Sequence, residues 1–199
     1  MKATIENRLL QSLAIMTPKN DTRSCFNAIY IDKGRAVVTN GHYLILVRIP
    51  EFEGEGDCYI IPEWVKGIKT YEVAIETVDN GIMVNGVTYP KYDQGRYPDY
   101  RRVIPEKTSG EPAQFSTKYL AMFAKVEKLL GRGKEFNKEK GVFISAPGML
   151  TIHHNGENAA IITSNASSDF LAVLMPLRDS DNGPFDTPAW AFNREEGAS

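Results

Sequence analysis

Gly95-Arg96-Tyr97-Pro98-Asp99-Tyr100-Arg101-Arg102-Val103-Ile104-Pro105 is the stretch whose reading decides the fold. It has neither helical nor strand periodicity, and it combines two prolines with three arginines and two tyrosines. A residue preceding proline is biased toward extended backbone, so the segment reads as an extended connector between folded blocks. Flexible linkers are Gly/Ser-rich and stiff ones Pro-rich. Here aromatic and branched side chains favour burial on one side while cations favour water on the other. Composition alone is equally compatible with a well-packed crossover.

On the N-terminal side of the connector the chain reads as two blocks. Lys2 to Glu6 alternates like a short strand, and Asn7 is placed to cap a helix whose apolar side is Leu9, Leu10, Leu13 and Met16. Phe26 to Ile31, Ala36 to Thr39 and Tyr43 to Ile49 then read as strands, punctuated by Asp32-Lys33-Gly34 and Asn40-Gly41. After an acidic loop over Glu51 to Asp57 the order repeats. Tyr59 to Ile61 is a strand, and Pro62 to Lys69 holds at most a short helix. Tyr71 to Val78, Ile82 to Asn85 and Val87 to Tyr89 are strands.

Beyond the connector, Glu106 to Pro112 is polar, and Ala113 to Phe115 has the composition of a short strand. Ser116 or Thr117 can cap the best helix of the sequence, which runs to Leu130 with Tyr119, Leu120, Phe123, Val126 and Leu130 on one face. Lys134 to Lys140 reads as a charged loop, followed by strands near Val142–Ser145, Leu150–His153, Ala159–Thr163 and Phe170–Leu174. The same element order thus occurs three times, an internal repeat. The expected fold is α+β, repeated β-α-β-β-β units with helices on one face of antiparallel sheets. Residues 1–95 form a domain of two half units, 96–112 the connector, 113–178 a third half unit, and 179–199 a tail whose composition predicts mobility.

With 199 residues, 42% hydrophobic and 24% charged, the chain is an ordinary globular protein in composition. No apolar run is long enough to span a bilayer, and the first residues lack the apolar core of a signal peptide, so the expected compartment is the cytoplasm, with no membrane partner. Cys25 and Cys58 lack metal-ligand or redox spacing and read as buried thiols. The net charge of −2 is unevenly distributed. Residues 113–140 carry seven cations and three acids, +4, which leaves −6 for the rest. Lys118, Lys125 and Arg132 recur every seven residues, near one helix face, opposite the apolar one. A basic stripe of this kind either solvates a helix or meets a phosphate backbone without reading its sequence.

Catalysis finds no support in the residues. His153 and His154 are neighbours on a strand and face opposite ways, and no phosphate loop, His-Glu-x-x-His or Gly-x-Ser-x-Gly motif is present. The expectation is a non-enzyme without cofactor or metal.

Three segments carry a resemblance. Arg96 to Pro105, Val38-Thr39-Asn40-Gly41-His42-Tyr43-Leu44 and Val173-Leu174-Met175-Pro176-Leu177-Arg178 resemble, in order, signatures of the bacterial sliding clamp, the beta subunit of the replicative DNA polymerase. In that family strand-helix-strand units close into a ring, helices line the bore, and sheets run on across subunit boundaries. The resemblance therefore implies a homo-oligomeric ring that encircles duplex DNA as a processivity factor. It also implies a groove beside the connector that accepts linear peptide motifs of polymerase and clamp loader. Carried over by position, that groove comprises Arg23, Thr39, Gly41, His42, Leu44, Pro98, Val103, Val173, Met175, Pro176 and Leu177, with Tyr43 replacing the family's arginine. The DNA-facing set comprises Arg8, Lys66, Lys69, Lys118, Lys125 and Arg132. The chain holds three half units where the family's subunit has six, so roughly four copies would complete a ring of the same number of units. A non-ring adaptor or decoy that keeps only the groove is the alternative.

Overall fold

A computed structural model describes residues 2–52, 55–59, 67–92, 95–131, 134–137, 142–145 and 148–178. The first block contains β1 (Lys2–Glu6), α1 (Asn7–Met16), β2 (Ile29–Asp32), β3 (Arg35–Thr39) and β4 (Tyr43–Arg48). The second contains β5 (Glu55–Tyr59), β6 (Glu72–Val78), β7 (Gly81–Val84) and β8 (Val87–Pro90). The third contains α2 (Thr117–Leu130), β9 (Lys134–Asn137), β10 (Val142–Ser145), β11 (Leu150–His153), β12 (Ala160–Ser164) and β13 (Phe170–Leu174). Among the described residues no helix is long and apolar enough to cross a membrane.

These strands do not stay within their blocks. β1 leaves the first block to pair with β6, giving a four-stranded sheet β1-β6-β7-β8. A seven-stranded sheet, ordered β11-β12-β13-β4-β3-β2-β5, joins all three blocks. Its central seam is β13 against β4, antiparallel from Phe170↔Val47 to Leu174↔Tyr43. Alternation sorts the side chains of this sheet. Tyr43, Ile45, Val47, Phe170, Ala172 and Leu174 point to the helices, whereas Leu44, Leu46, Leu171 and Val173 point to the connector. A slip of one residue would exchange the two sets, so burial on both faces holds the register.

On the helix face α1 and α2 lie together over both sheets. Leu9, Leu13, Met16, Val126 and Leu130 are almost completely enclosed, each worth about 1.5–3 kcal/mol of burial. The Tyr43 hydroxyl donates to the carbonyl of Met16 at 2.5 Å, and Thr17 donates from both N–H and hydroxyl to Leu13 O, so the C-terminal carbonyls of α1 are answered.

Several expectations are corrected. Asn7 is the first residue of α1 and not its cap: its buried amide donates to the carbonyls of Ile68 and Thr70, holding the irregular segment that leads into β6. The expected acidic loop Glu51–Asp57 instead enters β5 at Glu55, because β2 offers an edge to pair with. Residues 113–115 form no strand; the Gln114 carbonyl accepts from Leu177 N–H at 2.8 Å. Lys134–Asn137, expected as loop, pairs with β10. The connector is extended at both ends but tightens into a 3-10 turn at Tyr100–Val103. The short helix expected after Pro62 falls largely outside the described residues, as does the tail 179–199.

Candidate functional site

Three distant segments meet on the connector face. The first is the turn between β3 and β4, whose shape follows from Asn40: its side-chain oxygen accepts from the N–H groups of both His42 and Tyr43. Thr39 closes the turn, its hydroxyl donating to Tyr43 O and accepting from Gly41 N–H. Gly41 sits at φ +85°, and a Cβ there would stand 2.8 Å from Nη1 of Arg23. Its side-chain-free face is therefore what admits the arginine.

The second segment continues β13. Val173 lies opposite Leu44 in the sheet, and Met175 N–H donates to His42 O at 2.8 Å, so the β3–β4 turn and residues 173–177 are locked side by side. Leu44 and Val173 are buried, Met175 and Pro176 half-buried, and Leu177 is 49% exposed. The third segment is the connector, where Pro98 is exposed and Val103 is 44% exposed. Tyr97 holds it down, stacking on Tyr30 at 4.4 Å and meeting Phe26 edge-on at 6.0 Å. Exposed apolar residues around a buried apolar floor suit apolar anchors of a peptide.

Arg23 supplies the polar group. Its guanidinium lies 4.2 Å over the Phe26 ring, donates to Asn40 O, and forms a fork with Asp21 at 2.9 Å. The side-chain hydrogen bonds from Arg23 hold the Asp21 carboxyl below its usual range, and those to Asp21 raise Arg23. Phe26 and Tyr97 pack beside these segments although the sequence reading did not assign them to the groove. The available signal for Phe26 was its place three residues after Arg23 at the end of a turn.

The cations lie on the opposite face of the sheet. Lys118, Lys125 and also Lys128 are exposed on one stripe of α2, with Ala121 and Ala124 between them, and Lys69 is exposed before β6. Lys66 and Arg132 lie outside the described residues. Arg8 is not a free cation. It donates to the carbonyls of Leu130 and Ala166 at 2.8 and 3.0 Å and pairs with Glu6, so it fastens α1 to the end of α2. α1 otherwise turns the half-buried, uncharged Gln11 and Ala14 outward, while Ile15 packs against the core.

The histidines are structurally engaged: His153 bonds Thr163, His154 Nδ1 accepts from Ala113 N–H, and His42 stacks on Tyr119. Among the described residues no three His, Cys, Asp or Glu side chains are grouped to hold a metal.

This arrangement is the sliding-clamp fold. Within that class the similar solved structures are bacterial DNA polymerase III beta subunits. The Borrelia burgdorferi subunit, solved with a natural product, superposes with a TM-score of 0.56 at 16% identity over 89% of this chain and 64% of that one. The Thermotoga maritima subunit gives 0.55 at 15% identity, covering 90% and 66%. The Bacillus subtilis clamp gives 0.54 at 15% identity, covering 90% and 64%. The chain thus spans about two thirds or slightly less of the length of the clamps it matches. No protein-family model matches the sequence, and no curated protein does.

Proposed function

We propose that this chain is a subunit of a clamp that encircles duplex DNA and presents a groove for short apolar peptide motifs of replication proteins. The observation that carries the reading is the junction at β4 and β13. There Arg23, the Thr39–Leu44 turn and Val173–Leu177 come together from positions up to about 150 residues apart, the turn and the β13 segment bonded backbone to backbone and Arg23 donating from its guanidinium to Asn40 O. Such a seam is unnecessary for a lone domain and gives a rigid wall beside a connector that already lies across it. The α2 lysines, backed by the sheet, offer phosphates weak and screened contacts that permit sliding.

The test separates the two activities. Met175→Asp, at a half-buried position, is expected to abolish binding of an apolar peptide from a partner polymerase while leaving DNA association intact. Lys118→Glu with Lys125→Glu is expected to do the reverse. Leu44 is too deeply buried to serve, since a charge there would damage the sheet. Retention on closed circular DNA and release on linearisation is the measurement for encirclement.

A second reading rests on Arg8 and the uncharged outer side of α1. With its arginine used internally, α1 brings no free cation to a bore, as an adaptor without a ring would not need to. Peptide binding that survives without any topological DNA retention supports the adaptor.

A further inference from the structure

A cavity of about 800 Å³ lies under the other flank of the connector, between residues 95–102, the β2–β5 edge and Lys91–Tyr92. Its size suits a ligand, and it shares Tyr97 and Pro98 of the connector with the site over β4 and β13 while its other walls come from the β2–β5 pair. Gly56 helps to form it: at φ +86° it leaves room for the Tyr30 hydroxyl, which a Cβ would meet at 2.7 Å. Among the described residues four cations line the cavity against two acids, Asp57 and Asp99. Lys91 pairs with Asp57, Arg101 with Asp32 outside the lining, and Arg102 weakly with Asp99 at 3.2 Å. Arg96 has no ion-pair partner among the described residues. Among the described residues the site therefore has tyrosine walls and one cation, Arg96, left over from the ion pairs.

The sequence contains a complementary segment. Residues 179–199, Asp-Ser-Asp-Asn-Gly-Pro-Phe-Asp-Thr-Pro-Ala-Trp-Ala-Phe-Asn-Arg-Glu-Glu-Gly-Ala-Ser, hold five acids against one arginine and interleave them with Phe185, Trp190 and Phe192. We propose that the cavity is a binding site for an acidic, aromatic peptide segment and that its occupant is residues 179–199 of the same chain. Reach permits it. From β13 to β5 there are four interstrand steps, or about 19 Å at ~4.8 Å each. An extended chain covers ~3.3 Å per residue, so from Arg178 it passes that distance near Phe185. Tethering also raises the local concentration to the order of millimolar, so even a weak carboxylate–Arg96 contact with aromatic packing on Tyr30 and Tyr92 fills the site.

Trp190 is the reporter. In the full chain carrying Trp64→Phe it is the single tryptophan. Its emission is expected to be blue-shifted and shielded from acrylamide relative to the free 179–199 peptide. Adding Arg96→Glu is expected to abolish the shielding, and Asp186→Lys in that background to restore part of it. Lys128→Glu, on the far face, is expected to leave it unchanged. Should Trp64→Phe unfold the chain, 5-fluorotryptophan in the unsubstituted protein gives the same readout by fluorine NMR. Quenching of Trp190 equal to that of the free peptide, or shielding indifferent to Arg96→Glu, overturns the proposal. Shielding that vanishes on dilution overturns it too, since the occupant is then a second copy's segment.

Discussion

At the scale of single residues, Gly41 and Cys58 show how local chemistry shapes the connector face. Gly41 lies in the left-handed region and within 2.8 Å of Arg23 when a Cβ is added. Gly41→Ala is expected to cost about 1 kcal/mol through the backbone alone and, by moving Arg23 off Phe26, to weaken peptide binding more than its loss of stability explains. Paired urea unfolding and fluorescence anisotropy measure the two effects. Cys58 illustrates burial: desolvation pushes its thiol up to about 12, and the same cause raises Tyr43 and Tyr97. For an acid that is neutral when protonated, a raised folded value means that the native state holds the proton more tightly than the unfolded chain. Stability from these groups is therefore constant below the unfolded thiol value, ~8.5, and falls as pH rises toward 12. A melting temperature that is flat near neutrality and drops above about pH 9 is the expected result, and a thiol reagent should label the buried Cys58 only on unfolding.

Elements are joined here by side chains that a sequence pattern assigns elsewhere. Arg8 has the spacing of a surface residue on an amphipathic helix, yet its planar fork reaches Leu130 O at the end of α2 and Ala166 O beyond β12. Arg8→Met is expected to destabilise the protein by about 2–3 kcal/mol, because two carbonyls lose charged donors at once. Arg8→Lys recovers little of that, since a point charge cannot replace the fork. Chemical denaturation measures both. If Arg8→Met instead left stability unchanged and lowered DNA affinity, the arginine would face the DNA after all.

For the whole molecule, the consequence of the seven-stranded sheet is cooperativity. One apolar core includes Ile5 and Leu13 from the first block, Val73 and Ile82 from the second, and Val126, Ile162 and Leu174 from the third. No block has a closed core of its own. Unfolding is therefore expected as one transition, with calorimetric and circular-dichroism midpoints coinciding, despite the threefold repeat. Two separated transitions would show that the β4–β13 seam opens before the blocks melt. Light scattering across a dilution series addresses assembly at this scale: a single closed oligomer fits the ring, a monomer at every concentration fits the adaptor.

Local information was enough for the period-2 runs that became β3, β4, β12 and β13, for the apolar face of α2, and for the Lys33-Gly34 turn with its positive φ values. Two of the three signature segments also marked residues that meet at the β4–β13 junction. Long-range pairing decided the rest. β1 chose β6, a loop became β5, and Arg8 and Asn7 turned inward, because carbonyls and strand edges that needed partners lay tens of residues away. A side chain's period states which way it points, but which distant donor or acceptor it meets exists only once the sheets have closed.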